Sequence, residues 1–273
     1  MKRHKICKII FAILAVFLCV AFYELIGICI TYKKQPAVSD ATIKETQNIM
    51  SVAGRENTER AVIIEKNSQA LLERVRLIQN AKDEIILSTF AFKSDESGKL
   101  ILGALHDAAD RGVHVRILVD GMESWIDMEG NPYFYGLSSH ENVEIKLYNK
   151  ANPLKPWKTM GRMHDKYLIA DGKIYILGGR NTYNYFLGDF PGHKNFDRDV
   201  LVVCDEPQKD NSVNQLWNYF ETIWEQEDCR YFHNSKKLAN RQSVKKAVLE
   251  LQEGYQQYFE VNKEKICDTD YAD

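Results

Sequence analysis

The sequence predicts a mixed α+β domain, an α/β arrangement of one sheet flanked by helices, preceded by one transmembrane helix. Three observations predict it. Residues 9–30 are apolar apart from Glu24. Beyond residue 61, short β-branched runs alternate with amphipathic stretches of helical length. Asp171-Gly172 interrupts an alternating apolar pattern, the chemistry of a tight β-hairpin.

The apolar run IIFAILAVFLCVAFYELIGICI has 22 residues. At about 1.5 Å per residue it reaches across a hydrocarbon core of roughly 30 Å. With no small-x-small cleavage site and no lipobox, it reads as an anchor and not as a cleaved signal. Lys2, Arg3, Lys5 and Lys8, in the basic segment 1–8, precede it, and only Lys33 and Lys34 closely follow. The positive-inside rule then puts the N-terminus in the cytoplasm and the bulk of the chain outside it. Residues 31–60 are polar with little periodicity and read as a tether.

The folded part is expected from near Ala61. Asn67 or Ser68 can cap a helix running to about Asn80, EIILSTFAF (84–92) reads as a buried strand, and KLILGALHDAADRG (99–112) as an amphipathic helix ending on Gly112. VHVRILVD (113–120) and NVEIKLYN (142–149) follow as strands, and residues 211–227 and 243–262 as helices. The last aligns Val244, Val248, Leu251, Tyr255 and Phe259 on one face, as a packing helix or a linker toward a second half. Residues 61–228 are thus the expected catalytic half-domain and 229–273 a helical tail.

With 45% hydrophobic and 11% aromatic residues, 15 glycines and 6 prolines, collagenous and disordered chains are excluded. Residues 35–273 hold 30 basic against 37 acidic side chains, a net charge of −7. A broad surface for nucleic acid phosphates is disfavoured, which leaves at most a local basic groove. The 6 cysteines include no C-x-x-C, so neither a zinc site nor a disulfide framework can be read.

The chemistry concentrates in HDKYLIADGKIYILGGRN, residues 164–181. If Asp171 and Gly172 form a two-residue turn, Ala170 pairs with Lys173 and His164 falls opposite Gly179, with Asn181 just beyond. Alternation puts His164 and Lys166 on one strand face. An imidazole, an ammonium and an amide then converge beside Gly178 and Gly179, whose bare backbone would let a phosphate approach. Neutral imidazole can attack phosphorus while Lys166 and Asn181 hold the non-bridging oxygens. No metal or other cofactor is needed. Asp171, about 23 Å from His164 along an extended strand at roughly 3.3 Å per residue, serves the turn.

The spacing H-x-K-x4-D-x6-G-x2-N, filled by His164, Lys166, Asp171, Gly178 and Asn181, resembles the signature of the phospholipase D superfamily. Residues 61 to about 228 are similar in element order to the first half of bacterial cardiolipin synthase and phospholipase D-like proteins. The resemblance implies a mixed sheet flanked by helices, a phosphohistidine at His164, and phosphate binding by Lys166 and Asn181. It also implies that the acid opening the strand in FDRDVLVV orients the histidine. Here that acid is Asp199, or Asp197 on the same face; the alternative is that both pair with Arg198 or Lys194.

A second H-x-K, whose histidine would protonate the leaving oxygen, does not occur in the 273 residues. His4, His106, His114, His140, His193 and His233 lack the motif and read as surface or edge histidines. The expected function is a membrane-anchored phosphodiesterase or phosphatidyltransferase acting on phospholipid, its second half supplied by a homodimer or a separate partner. Two rivals stand beside it: a single-motif homodimeric nuclease, and a truncated inactive half serving as a membrane-bound interaction module. The aromatic loop 182–195 reads as a lipid-facing lip or as packing. Trp157 and Arg162 flank the catalytic strand and read as ordinary loop contacts, with contact to a head group as the alternative.

Overall fold

Helix α1 (Lys2–Lys33) contains His4–Ile30, a stretch long and apolar enough to cross a membrane. The computed structural model describes residues 2–33, 39–41, 43–44, 59–150, 152, 154–155, 158, 160–205, 211–233 and 235–271. Trp157 and most of the expected tether lie outside the described residues. The chain divides into two units, residues 1–57 with 151–161 and residues 58–150 with 162–273; the sheet and the motif belong to the second.

That sheet has eight strands in the order β1-β7-β6-β5-β2-β3-β4-β8. Its parallel centre is β2 (Glu84–Thr89), β3 (His114–Asp120) and β4 (Val143–Tyr148). The antiparallel flank is β5 (Tyr167–Ala170), β6 (Ile174–Gly178) and β7 (Asp199–Cys204). The edges are β1 (Glu59–Ile64), paired with β7, and β8 (Cys229–Tyr231), paired with β4. β1 starts inside the stretch that reads as tether; its apolar residues Ala61, Val62 and Ile63 remain exposed, so the strand gives no amphipathic signal.

One sheet face is covered by α2 (Asn67–Asn80), α3 (Glu96–Asp110), α5 (Pro132–Ser138) and α8 (Gln242–Cys267). Leu71, Val75, Leu102, Leu105, Phe134, Leu251 and Tyr255 meet Ile85, Leu87, Ile117 and Leu168 there. The opposite face is closed by α6 (Ser212–Trp224), which sets Val213, Phe220 and Trp224 on Ile86, Leu118, Ile169 and Tyr175. Mostly apolar strands of the centre follow from burial on both faces. Two short helices, α4 (Gly121–Asp127) and α7 (Lys236–Ala239), complete the described elements.

Several boundaries move for local reasons. The cap of α2 is Lys66, because Asn67 points its side chain away, its Nδ2 donating to the carbonyl of Asn195 at 2.9 Å. α3 begins at Glu96, three residues before the expected Lys99, since Asp95 accepts from the N–H of Gly98 at 3.1 Å. The hairpin turns at Asp171 and Gly172, with φ of 51° and 60°, and Lys173 N donates to Ala170 O at 3.0 Å. The ladder nevertheless pairs Ala170 with Ile174 and Tyr167 with Leu177, so the loop holds three residues. The register is one residue off the expected one. Lys166 falls opposite Gly178, its carbonyl accepting from Gly178 N at 3.1 Å, and the same count sets His164 against Arg180 instead of Gly179.

Candidate active site

The motif lies at the carboxyl ends of β2 and β3, where β5 and β7 begin. His164 stands in the segment just ahead of β5, exposed, over a buried Lys166. Asp120, the last residue of β3, anchors that segment. One of its oxygens caps α4 through Met122 N (3.0 Å) and Glu123 N (3.2 Å), and the other accepts from Met163 N at 3.1 Å. Arg162 bridges Asp120 and Glu123 (2.8 and 3.0 Å). Its partners lie within this end of the sheet, and the next residues present His164.

Lys166 Nζ lies 3.2 Å from His164 Nδ1 and 2.7 Å from the His164 carbonyl oxygen. An ammonium can only donate, so Nδ1 is the acceptor nitrogen in this arrangement. Burial holds the Lys166 ammonium below the ordinary lysine range, opposed by the charges of Asp165 and Asp197. Asn181 is buried, its Oδ1 accepting from Ala91 N at 3.2 Å. Ala91 follows Phe90, whose ring lies 4.5 Å from that of His164 between centroids. The imidazole and ammonium thus touch directly, and the amide joins them through residues 90 and 91.

The two acids stand differently from the expectation. Asp199 is fully buried and its Oδ2 lies 3.0 Å from Arg74 and 3.2 Å from Arg180, neither of them the anticipated Arg198 or Lys194. The carboxylate is held by charge and not by well-directed hydrogen bonds, since neither oxygen meets hydrogen-bond geometry. Arg180 spends its other donors on Ile64 O, Glu65 O and Asn67 Oδ1. Among the described residues, no hydrogen bond or ion pair joins His164 to either acid. A side chain at Gly178 would overlap Asp199, and one at Gly179 would overlap Asp197, so each glycine makes room for a carboxylate.

Asp171 sits at the far end of the hairpin. Its carboxylate accepts from the N–H groups of Lys82 (2.9 Å), Asp83 (2.8 Å) and Glu84 (3.0 Å), tying the turn to the start of β2. Of the other histidines, His106 is buried and not at the surface; its Nδ1 lies 3.0 Å from Asp110, which also meets His140 Nε2 at 3.1 Å. In the aromatic loop, Leu187 is buried and Phe186 and Phe190 pack on the core, whereas Tyr185 and, just past the loop, Phe196 are exposed. Sequence reading missed Phe90, Asp120, Arg74 and Arg180. Only Asp120 had a signal, the Asp-Gly step closing a strand.

Residues 75–224 match the family described as cardiolipin synthase, PLD-like domain. An uncharacterised protein of Helicobacter pylori (strain ATCC 700392 / 26695) is 33% identical over 181 residues, 61% of this chain and 35% of that protein. Cardiolipin synthase C of Escherichia coli K12 is 29% identical over 154 residues, 51% of this chain and 31% of the relative. The chain therefore spans about a third of the length of these curated relatives. Nuc, a phospholipase D family member from Salmonella typhimurium of known crystal structure, is 20% identical; the alignment covers 65% of this chain and 99% of Nuc, with a TM-score of 0.46. Since the family match extends over more than half of its residues, the chain belongs to the phospholipase D superfamily, with the PLD-like domain of cardiolipin synthase.

Proposed function

We propose that the chain is one half of a membrane-anchored phosphodiesterase or phosphatidyltransferase that acts on phospholipid through a phosphohistidine at His164. The observation that carries the reading is the 3.2 Å contact of Lys166 Nζ with His164 Nδ1, beneath an exposed imidazole. A phosphodiester entering there competes for Lys166: its non-bridging oxygens draw the ammonium off Nδ1, and Asn181 donates to them from the amide nitrogen. A ring nitrogen then attacks phosphorus. The N–P bond forms as the P–O bond to the leaving alcohol breaks, and water or a second alcohol later displaces His164. The charge growing on the equatorial oxygens is met by groups already in place.

In this reading the acid that serves the imidazole is Asp197. Its carboxylate stands over Gly179 and its charge acts on Lys166, whereas that of Asp199 is engaged by two arginines. The proton for the leaving oxygen comes from a second motif, in a second copy of the chain or in a separate half. Helix α1 anchors the protein, with the catalytic domain outside the cytoplasm.

The test is a phosphoenzyme trap on the full chain in proteoliposomes, alone and with a second-motif half, offered labelled phospholipid or single-stranded DNA. The reading expects phospholipid turnover and an acid-labile, base-stable phosphate adduct that disappears in His164→Ala. Turnover of DNA alone supports the nuclease, and no turnover in either setting supports the inactive module. Protease added outside intact cells should degrade residues 35–273; protection of that portion reverses the topology.

A further inference from the structure

Phe90 leaves the end of β2 with no motif around it, yet three groups of the candidate site share its ring. The His164 ring centroid lies 4.5 Å away with the planes tilted by 58°. Lys166 Nζ is 5.3 Å from the Phe90 centroid and the Arg162 guanidinium 4.9 Å. Arg162 is itself held by Asp120 and Glu123, which gives the ring a fixed neighbour. Residue 91 binds Asn181 through its N–H.

The only hydrogen bond to the His164 ring among the described residues comes from Lys166. That bond is given up in the proposed step, because the Nδ1 lone pair that accepts it is the pair a neutral imidazole offers to phosphorus while the ammonium turns to the phosphate. An imidazole released from it is free to turn about its side-chain torsions just when it has to attack. An aromatic contact needs no donor and persists through that exchange. The ring face also attracts cations, so it retains Lys166 close by as the ammonium turns toward an anion.

We propose that Phe90 is the positioning residue of His164, holding the imidazole in its attacking orientation while Lys166 is transferred to the phosphate. The kinetic consequence rests on the nucleophile reading above; the contact stands without it.

The test uses the full chain with isotope-labelled histidine, His164 signals being assigned by their loss in His164→Gln. In the wild type the His164 ring C–H signals should be displaced by the Phe90 ring current, move in Phe90→Leu and stay in Phe90→Tyr. In the active assembly Phe90→Leu should lose about 10- to 100-fold in kcat with KM changed less than about threefold, since small misplacements of a reacting group carry such penalties. Phe90→Tyr should recover to within about threefold, with melting temperatures of all three alike. The proposal is overturned by His164 signals unmoved in Phe90→Leu, by Leu and Tyr variants turning over equally, or by a loss confined to KM. If the wild type turns over no phosphodiester, the proposed activity fails and the His164 signals alone decide on Phe90.

Discussion

The carboxylate of Asp197 fills the space directly over Gly179, so that a side chain at that position would overlap it. Gly178 stands in the same relation to Asp199; Asp199 is buried and paired with arginine, and Asp197 is half-buried with its charge acting on Lys166.

The two glycines should therefore fail differently. Gly178→Ala pushes the buried Asp199 against Arg74 and Arg180 and should destabilise the domain by about 1–3 kcal/mol, the usual range for overpacking. Gly179→Ala displaces a more accessible carboxylate and should reduce turnover at least tenfold with a smaller change in stability. Urea melts and initial rates on both variants separate the effects; equal melts would refute the assignment.

Asp199→Asn leaves Arg74 and Arg180 buried without a countercharge. Breaking a buried pair by removing one partner costs about 3–5 kcal/mol. That loss should appear as a lower denaturant midpoint. A variant within about 1 kcal/mol of wild type would show that the carboxylate is not holding the arginines.

Asp171→Ala should act on folding. It removes the acceptor of three backbone N–H groups at the start of β2. With the Lys82 and Asp83 N–H groups open to water, the loss is the net worth of hydrogen bonds to a charged group, about 1.5–3 kcal/mol. By contrast, His164→Gln should melt like the wild type while losing turnover and the phosphate adduct. If the Asp171 variant kept its stability and lost only turnover, the carboxylate would have a chemical role that its contacts do not suggest.

Acid sensitivity should come in part from His106. Burial holds its pKa below the ordinary value, against the pull of Asp110. His140 also faces it, and Gln252 reaches Asp110 from α8. With the folded value below the unfolded value of about 6.5, the unfolded chain carries more protons between the two, and stability rises with pH there. The His106 contribution is complete above about pH 6.5 and is lost as the pH falls from that value toward the folded one. Urea midpoints followed from pH 7.5 to about 5 should fall less steeply in His106→Gln than in the wild type. An unchanged slope would exclude His106 as the source.

Much of this architecture is legible locally. The alternation around Asp171-Gly172 marks the β5–β6 hairpin and its positive-φ turn, and the apolar periodicity marks α3, α6 and α8. Local signals fail at β1, whose apolar residues stay exposed on a sheet edge, and at the hairpin register, where one further loop residue moved every pairing by a position.

Side-chain alternation and turn chemistry belong to neighbouring residues, so the hairpin, the central strands and the proximity of His164 and Lys166 follow from local sequence. The assembled sheet is what brings Asp199 to Arg74 and Arg180, sets carboxylates over the glycines, and lays Phe90 against His164. Each of these contacts depends on strand order and on close approach between β2, β5, β6 and β7. Burial of both sheet faces sets that order, and no periodicity along the chain records it.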